Sequence, residues 1–340
     1  MTGRVLVTGA AGFIGGYLVA ELLERGYQVT GLDDLSKYGE PAPPDRPGYA
    51  FVRGDARNAG LVSELLTGCD HLIAAAAMVG GIGYFHAFPY DLLASNERIT
   101  AAACDAAIAA DRAGTLRRAT FLSSSMVYEN AASWPSGEGQ QLRIAPPGTA
   151  YGFGKLAVEY FARAAADQYG LPFTIVRPFN CVGVGERRSL QAGTADGAEI
   201  GRATSHVVPD LVHRLLAGQD PLQLLGSGGQ VRHYTYGGDL ATGIVTAMEH
   251  PAAEGEDFNL SSDQATTVTE LATMIWHKVN GPDDPPRFSH REPYPGDVQR
   301  RIPDTAKAKR VLGFTATTTL GQMLDEVIAW MRDAIAAGLV

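Results

Sequence analysis

The chain of 340 residues is 45% hydrophobic and 19% charged, with 28 Lys plus Arg against 37 Asp plus Glu and a formal net charge of −9. That length can bury a large core, as one large domain or as two intimately joined ones. The acidic balance and the lack of any basic block argue against nucleic acid as the main partner.

Strand-like and helix-like segments alternate through the first half. Val5-Leu6-Val7 leads into a helix over 14–25 that Gly26 stops, and 28–32 is the second strand, followed by a Pro-rich loop over 41–47. Further strands are expected at 50–53, 72–76, 120–123 and 174–176, with helices between them at 59–66, 89–110 and 151–169. Alternation of this kind with short connections implies an α/β fold built on a doubly wound parallel sheet. In such a sheet ligands gather at the carboxyl ends of the strands.

The character changes after Arg177-Pro178. Residues 183–205 form a long polar stretch rich in Gly and Ala, and a loop that long is usually functional or mobile. Beyond it the pattern predicts a helix over 208–216, a strand over 222–225, a helix over 239–249, a strand over 258–260 and a last helix over 320–335. This half reads as a smaller α/β cap, with some elements returning to the main sheet.

Cys69, Cys104 and Cys181 are scattered and odd in number, which speaks against a disulfide framework and fits a reducing cytoplasm. No Cys/His cluster has metal-ligand spacing, so no metal is expected. Arg4 to Thr8 follow the first residue so closely that no signal peptide is expected, and apolar stretches such as 72–79 are too short to span a bilayer. The expectation is a cytoplasmic protein without a membrane partner.

Gly9, Gly12 and Gly15 lie three residues apart after a strand and before a helix. Such glycines permit a tight turn and close backbone approach to phosphate, and the helix N-terminus supplies amide donors, so a dinucleotide pyrophosphate fits there. Asp33 falls at the end of the second strand. There it either accepts both adenosine ribose hydroxyls and repels a 2′-phosphate, favouring NAD over NADP, or serves as a turn residue beside Asp34. Asp55, after the third strand, has a similar choice between the adenine amino group and a turn.

Tyr151 and Lys155 stand at i and i+4 and share a helix face. A free tyrosine titrates near ~10, too high for a base at neutral pH, but a nearby ammonium and an oxidised nicotinamide both favour phenolate. A phenol so lowered can take a proton from a substrate hydroxyl as hydride leaves the same carbon. Ser124, at a strand's carboxyl end, is a candidate to hold that hydroxyl.

Taken with Ser123-Ser124-Ser125-Met126-Val127-Tyr128, Arg177-Pro178-Phe179-Asn180, the run 226–232 and Tyr294-Pro295-Gly296-Asp297, these pieces stand in order from residue 5 to about 300. The chain resembles an extended short-chain dehydrogenase/reductase of the nucleotide-sugar epimerase/dehydratase family. The resemblance implies a Rossmann-type sheet with a sugar-nucleotide-binding cap, bound NAD, a nucleotide-diphosphate-sugar substrate and a homodimer built on a four-helix bundle. Residues 1–177 would bind NAD, with 233–262 returning to that domain, while 178–232 and 263–340 would bind the sugar nucleotide.

Matched residue by residue, the resemblance gives Ser124 as the catalytic hydroxyl, Tyr151 as the base and Lys155 as its helper. Phe13, Ile14, Ala75 and Asn96 join the glycines, Asp33 and Asp55 on the cofactor side. Asn180 matches a contact to the substrate phosphates, Arg232 a diphosphate clamp and Asp297 a carboxylate near the nucleoside ribose. Turn roles for Asn180 and Asp297 remain open. Val79, Met126 and Val207 complete the substrate side. Residues 76–82 with 205–209 resemble the GDP-fucose synthase and GDP-mannose 3,5-epimerase branch. There His206 matches a general acid, or else is an ordinary histidine at a helix N-terminus.

One departure narrows the chemistry. That branch carries a cysteine two residues before the strand-end tyrosine, and dehydratases and decarboxylases usually carry a glutamate; here the position is Met126, which can neither take nor give a proton. What remains is alcohol oxidation and re-reduction with cofactor recycled in place, the mode of a 4-epimerase. Alternatives are a 4-keto-sugar reductase/3,5-epimerase of the GDP-fucose synthase type, a UDP-uronate decarboxylase or 4,6-dehydratase using another residue such as Glu129, and a non-catalytic dinucleotide sensor. Arg187, Arg188 and Arg202 in the 183–205 stretch are either lid residues that meet substrate anions or solvated loop charges.

Overall fold

A computed structural model describes residues 3–40, 43, 46–79, 87–186, 206–293 and 297–339, and the backbone of 194–195 and 198–199. The expected Pro-rich loop is covered only at 43, 46 and 47. Gly80-Gly81-Ile82, Tyr294-Pro295-Gly296, and Arg187, Arg188, Arg202 and Ser205 of the proposed lid lie outside the described residues.

The strands are β1 (Arg4–Thr8), β2 (Gln28–Asp33), β3 (Tyr49–Arg53), β4 (His71–Ala74), β5 (Arg118–Leu122), β6 (Phe173–Pro178), β7 (Cys181–Val182), β8 (Thr194–Ala195), β9 (Ala198–Glu199), β10 (Leu222–Leu225), β11 (Val231–His233), β12 (Thr235–Tyr236), β13 (Glu256–Leu260), β14 (Ala265–Thr267) and β15 (Phe288–Arg291). The helices are α1 (Phe13–Glu24), α2 (Ala59–Leu66), α3 (Pro89–Arg112), α4 (Ala150–Tyr169), α5 (Val207–Leu216), α6 (Gly237–Glu249), α7 (Val268–Asn280), α8 (Ala306–Leu312) and α9 (Leu320–Ala336). Seven strands form one sheet in the order β13-β6-β5-β4-β1-β2-β3. Every neighbouring pair in it is parallel. The expected doubly wound sheet is present.

β1 shows why the sheet is covered on both faces. Its side chains alternate, so Val5 and Val7 face Leu18 and Leu22 of α1 and Leu240 and Ile244 of α6. Leu6 faces the opposite way, into a cluster with Val62 and Leu66 of α2, Ala107 of α3 and Ala162 of α4. Val5, Leu6 and Val7 are fully buried. Each contributes about 1.5–3 kcal/mol by leaving water. A third cluster joins Leu211 of α5, Leu222 and Leu224 of β10, Ile275 and Trp276 of α7 and Leu324 and Ile328 of α9.

The sheet edge is clamped by charge. Arg177, fully buried on β6, donates from Nε to Glu159 Oε1 of α4 at 2.6 Å and from its NH2 group to Asp257 Oδ2 of β13 at 2.5 Å. Glu159 also accepts from Ser123 Oγ at 2.7 Å and from Gln141 Nε2 at 3.0 Å. The network holds α4 against the strand end that carries Ser124.

One expected boundary moves, and one helix was not expected. The strand expected to run to residue 76 ends at Ala74, where Ala75 N turns back to Ile73 O and Ala76 N donates to Thr8 Oγ1 at 3.2 Å. Helix α7 was absent from the sequence pattern, yet Thr267 and Glu270 close a reciprocal capping box at its start.

Candidate active site

At the carboxyl end of β1 the chain turns through Gly9 at φ +74°, and a Cβ there would fall 2.8 Å from the backbone of Ala76. A Cβ on Gly15 would fall 2.0 Å from the carbonyl oxygen of Gly9, so only glycine lets α1 approach the strand this closely. Gly12 caps α1 without a side-chain hydrogen bond, and the first turn holds no acidic residue. Its orphan amides and the positive end of the helix make a cradle for a diphosphate. Phe13, buried, meets Tyr17 edge-on at 5.7 Å, and Ile14 packs on the core below; both shape the cradle through the helix.

Asp33 ends β2, where its Oδ2 accepts from Ala11 N at 3.1 Å and its Oδ1 from Leu35 N at 2.8 Å. Burial raises its pKa, and those amides oppose the rise. Asp55 holds Arg57 at 2.7 Å and accepts from Arg57 N at 2.8 Å. Ala75 lies partly buried beside the cradle, against the first core cluster. Asn96 spends both amide groups on one segment: Oδ1 accepts from Met78 N at 2.7 Å and Nδ2 donates to Met78 O at 3.1 Å. It therefore positions the chain next to half-buried Val79.

Helix α4 begins where Thr149 Oγ1 accepts from Gly152 N, and Thr149 Oγ1 in turn donates to Glu129 Oε2 at 2.7 Å. That fixes the direction of Glu129: it braces the start of α4. Lys155, buried, donates from Nζ to Leu122 O at 2.9 Å and lies 6.0 Å from the centre of the Tyr151 ring. Burial pushes its ammonium down to about 8. Ser124 caps the short 3-10 helix Ser125–Tyr128, accepting from Met126 N at 3.2 Å. Met126 is buried.

Burial also raises the Tyr151 phenol, and a hydrogen bond from Ser124 and the charge of Arg301 oppose the rise. Lys155, 6.0 Å from the ring centre, is thus joined by Arg301 as a second cation acting on the phenol. Arg301 was not found from the sequence. It stands four residues beyond Asp297, and nothing in that spacing announces a site residue.

At the other end of the site, Arg232 of β11 lies 3.5 Å from Asp297 Oδ1 and donates to its neighbour's carbonyl, Val231 O, at 2.9 Å. Asp297 Oδ2 accepts from Gln230 Nε2 at 2.9 Å. Asn180 sits in the left-handed region at φ 37°, and its Nδ2 donates to His233 O at 3.0 Å. Its Oδ1 accepts from the NH1 group of Arg301 at 3.4 Å. Burial, then the like charge of Arg232, push the Arg301 guanidinium down to about 9, where it is still charged at neutral pH.

His206 is the N-cap of α5; its backbone N donates to Glu186 Oε1 at 3.1 Å, and its ring Nδ1 meets the same carboxylate. Burial would raise Glu186, but His206 and Lys37 outweigh it and hold the carboxyl low. Val207 opens the helix, partly buried. The structure thus brings together the glycines with Asp33 and Ala75, then Ser124 with Tyr151, Lys155 and Met126, then Asn180 with Arg232, Asp297 and Arg301. Asp55 and His206 are engaged with partners of their own. Among the described residues no cluster of His, Cys, Asp or Glu is suited to a metal ion.

The sequence model of the NAD dependent epimerase/dehydratase family matches residues 5–261. The chain is 29% identical over 336 residues to the UDP-glucose 4-epimerase of Mycolicibacterium smegmatis, covering 97% of this chain and 99% of that protein. It is 28% identical over 342 residues to the UDP-N-acetyl-alpha-D-glucosaminuronate decarboxylase of Bacillus cytotoxicus, covering 98% and 99% respectively. The crystal structure of a dTDP-glucose 4,6-dehydratase from Streptomyces venezuelae with NAD bound superposes with a TM-score of 0.83 at 26% identity, covering 99% of this chain and 100% of that one.

Proposed function

Because the chain belongs to the NAD dependent epimerase/dehydratase family, we propose that it inverts C4 of a nucleotide-diphosphate sugar through a transient 4-keto intermediate. One observation carries this reading: Ser124, Tyr151 and Lys155 are assembled, while the neighbouring position that could add a second acid or base is the buried Met126. Glu129 does not replace the missing carboxylate, because it is spent on Thr149.

NAD is the cofactor, and the cradle at Gly9, Gly12 and Gly15 with the carboxylate of Asp33 fits it. Held there, it would supply reversible hydride transfer at C4. Tyr151 takes the C4 hydroxyl proton and gives it back. Ser124 holds the hydroxyl oxygen and donates to the phenolate, as it already does to the phenol. Lys155 and Arg301 supply positive charge on either side of the changing oxyanion. Arg232, Asn180 and Asp297 hold the nucleotide diphosphate, Arg232 through a planar fork suited to phosphate oxygens. Met126 and Val79, with Val207 across the site, enclose the sugar.

Residues 1–177 with 233–262 form the cofactor half of this reading, supported by α6 and β13 packing into the main sheet. The remaining segments form the substrate half. Tyr90 on α3 and Phe153, Tyr160 and Phe161 on α4 expose aromatic surface, which supports a homodimer through these two helices from each copy. Unpaired Cys69, Cys104 and Cys181 support a cytoplasmic setting.

The test is incubation of purified protein with UDP-, dTDP- and GDP-sugars, neutral and acidic, followed by NMR of the products. The expected result is an equilibrium of C4 epimers with no net NADH. Release of carbon dioxide, loss of water or stoichiometric consumption of NADPH would replace this reading with another.

A further inference from the structure

Two short strands leave the substrate end of the site and meet one tyrosine of the cofactor helix. β7 and β12 pair in parallel, Cys181 with Thr235 and Val182 with Tyr236. Asn180 stands just before β7 and Arg232 three residues before β12, so the parallel pairing puts both at the same end of the ribbon. Two hydrogen bonds close that end: Thr235 N donates to Asn180 O at 3.1 Å, and Asn180 Nδ2 donates to His233 O at 3.0 Å. The chain leaves the other end through Gly183 and Gly237.

Tyr17 of α1 fills the space between those two glycines. A Cβ on Gly183 would fall 2.3 Å from the Tyr17 hydroxyl oxygen, and one on Gly237 would fall 2.5 Å from its Cε2. Neither glycine has a positive φ, so the ring and not the backbone excludes a side chain there. The Tyr17 hydroxyl accepts from Val184 N at 2.8 Å. Its ring meets Phe13 edge-on at 5.7 Å and Tyr236 edge-on at 5.6 Å. Tyr236 in turn donates its hydroxyl to Glu326 Oε2 of α9 at 2.8 Å. The ribbon is also the seam between two cores. Cys181 packs with Tyr17 on the cluster below the glycine cradle, while Val182 and Tyr236 belong with α5, α7 and α9.

We propose that Tyr17 is a positioning residue for the substrate: it seats the ribbon that carries Asn180 and Arg232 on the helix whose N-terminus cradles the cofactor. It thereby sets the affinity for the nucleotide diphosphate without touching it. This rests on the reading of Asn180 and Arg232 as phosphate contacts. A ribbon two residues long has little stiffness of its own, so its angle is fixed by what grips it. The grip is the ring between the glycines and the bond to Val184 N. Both phosphate contacts hang from the ribbon, and a shift would move them together, away from the dinucleotide. Ground state and transition state use those contacts alike, so the mark of a loosened ribbon is a raised KM with kcat little changed.

The test is calorimetric binding of a bare nucleoside diphosphate, chosen among UDP, dTDP and GDP by thermal shift, to the NAD-loaded protein. Tyr17→Phe keeps the packed ring and removes only the acceptor for Val184 N, so folding does not obscure it. It should bind the diphosphate about fivefold more weakly than wild type. Its NAD content should be unchanged, and with the sugar nucleotide that product NMR shows to be turned over, KM should rise by a similar factor while kcat stays level. Gly237→Ala drives a methyl group into the ring and should weaken diphosphate binding about tenfold. In a Tyr17→Ala background, where the ring is gone, the same Gly237→Ala change should add no further loss. Wild-type affinity in Tyr17→Phe overturns the proposal, as does a fall in kcat or NAD content in place of affinity, or a Gly237→Ala penalty that persists without the ring. If none of the three diphosphates binds wild type, the reading of Asn180 and Arg232 fails and the proposal falls with it; if wild type and Tyr17→Phe bind alike, only the role of Tyr17 fails.

Discussion

The ammonium of Lys155 donates to the carbonyl oxygen of Leu122 at 2.9 Å, which fastens the second turn of α4 to the last residue of β5. Ser124 lies two residues beyond that carbonyl. The strand end and the helix that carry the three reacting side chains are therefore held as one unit. Buried Glu159 makes a second tie one turn further on, through Ser123 Oγ at 2.7 Å. Tyr151 needs little rearrangement to act, because Ser124 already hydrogen-bonds to it.

Tyr151→Phe removes the proton-transfer oxygen and leaves the ring in place. A positioned general base contributes about 10²–10⁴-fold, so kcat should fall by that factor. NAD content, read from the absorbance of the released cofactor, should match wild type. A variant that keeps its turnover would remove Tyr151 from the mechanism.

Asp257 gives a pH prediction. Burial would raise its carboxyl, but Arg177, Lys307 and Arg163 outweigh burial and hold it at about 2, below the ordinary 3.8. The folded state thus binds fewer protons than the unfolded chain between those values. The stabilisation is complete above pH ~4 and is lost as pH falls toward 2, a contribution of about 2 kcal/mol. Asp257→Asn also leaves Arg177 with one carboxylate partner fewer in the interior, so the cost at pH 7 should reach about 3 kcal/mol. Urea midpoints at pH 7 and pH 3 check both: the gap between wild type and variant should shrink at the lower pH.

How much of this was legible beforehand follows from the range of the interactions. The glycine turn, Asp33 at a strand end and the i, i+4 pair of Tyr151 and Lys155 are local patterns, and the sequence displays them directly. The sheet follows from alternation, since a strand such as Val5-Leu6-Val7 with a helix on either side has few other ways to bury itself. Arg301 was hidden because its meaning depends on Tyr151 and Asn180, far away in the chain and unconnected to it by any spacing rule. The direction of Glu129 was hidden for the same reason, being set by Thr149 in a different element. Asn96 was legible as a site neighbour, but its commitment of both amide groups to Met78 was not. Helix α7 had a local signal, Thr267-x-x-Glu270, that simple apolar periodicity passes over.

A third prediction concerns the exposed aromatic face. Tyr160 is 59% exposed and Phe153 is 45% exposed; seven residues apart on α4, they lie near one stripe of the helix. A stripe of this kind on paired helices fits a second copy of the chain. Wild type should sediment as a dimer at micromolar concentration. Tyr160→Glu places a charge on each side of the contact and should shift the population toward monomer while the far-UV circular dichroism stays the same. A wild type that sediments as a monomer would show that this face has another use.

The last prediction tests what Asp33 does once the cofactor is present. Its two oxygens already accept from Ala11 N and Leu35 N, so the carboxylate is held rigidly at the end of β2 beside the diphosphate cradle. A carboxylate accepts ribose hydroxyls and repels a phosphate esterified at the same place. Asp33→Ala removes both effects at once. NADH affinity of the stripped protein should fall by about tenfold, consistent with the loss of hydrogen bonds to a charged group worth about 1.5–3 kcal/mol. NADPH affinity should rise or stay level, because the repulsion disappears along with the acceptor. Fluorescence titration with the two reduced dinucleotides separates these effects. If the variant retains the wild-type preference, selectivity lies elsewhere and Asp33 serves only to hold the turn through Ala11 and Leu35.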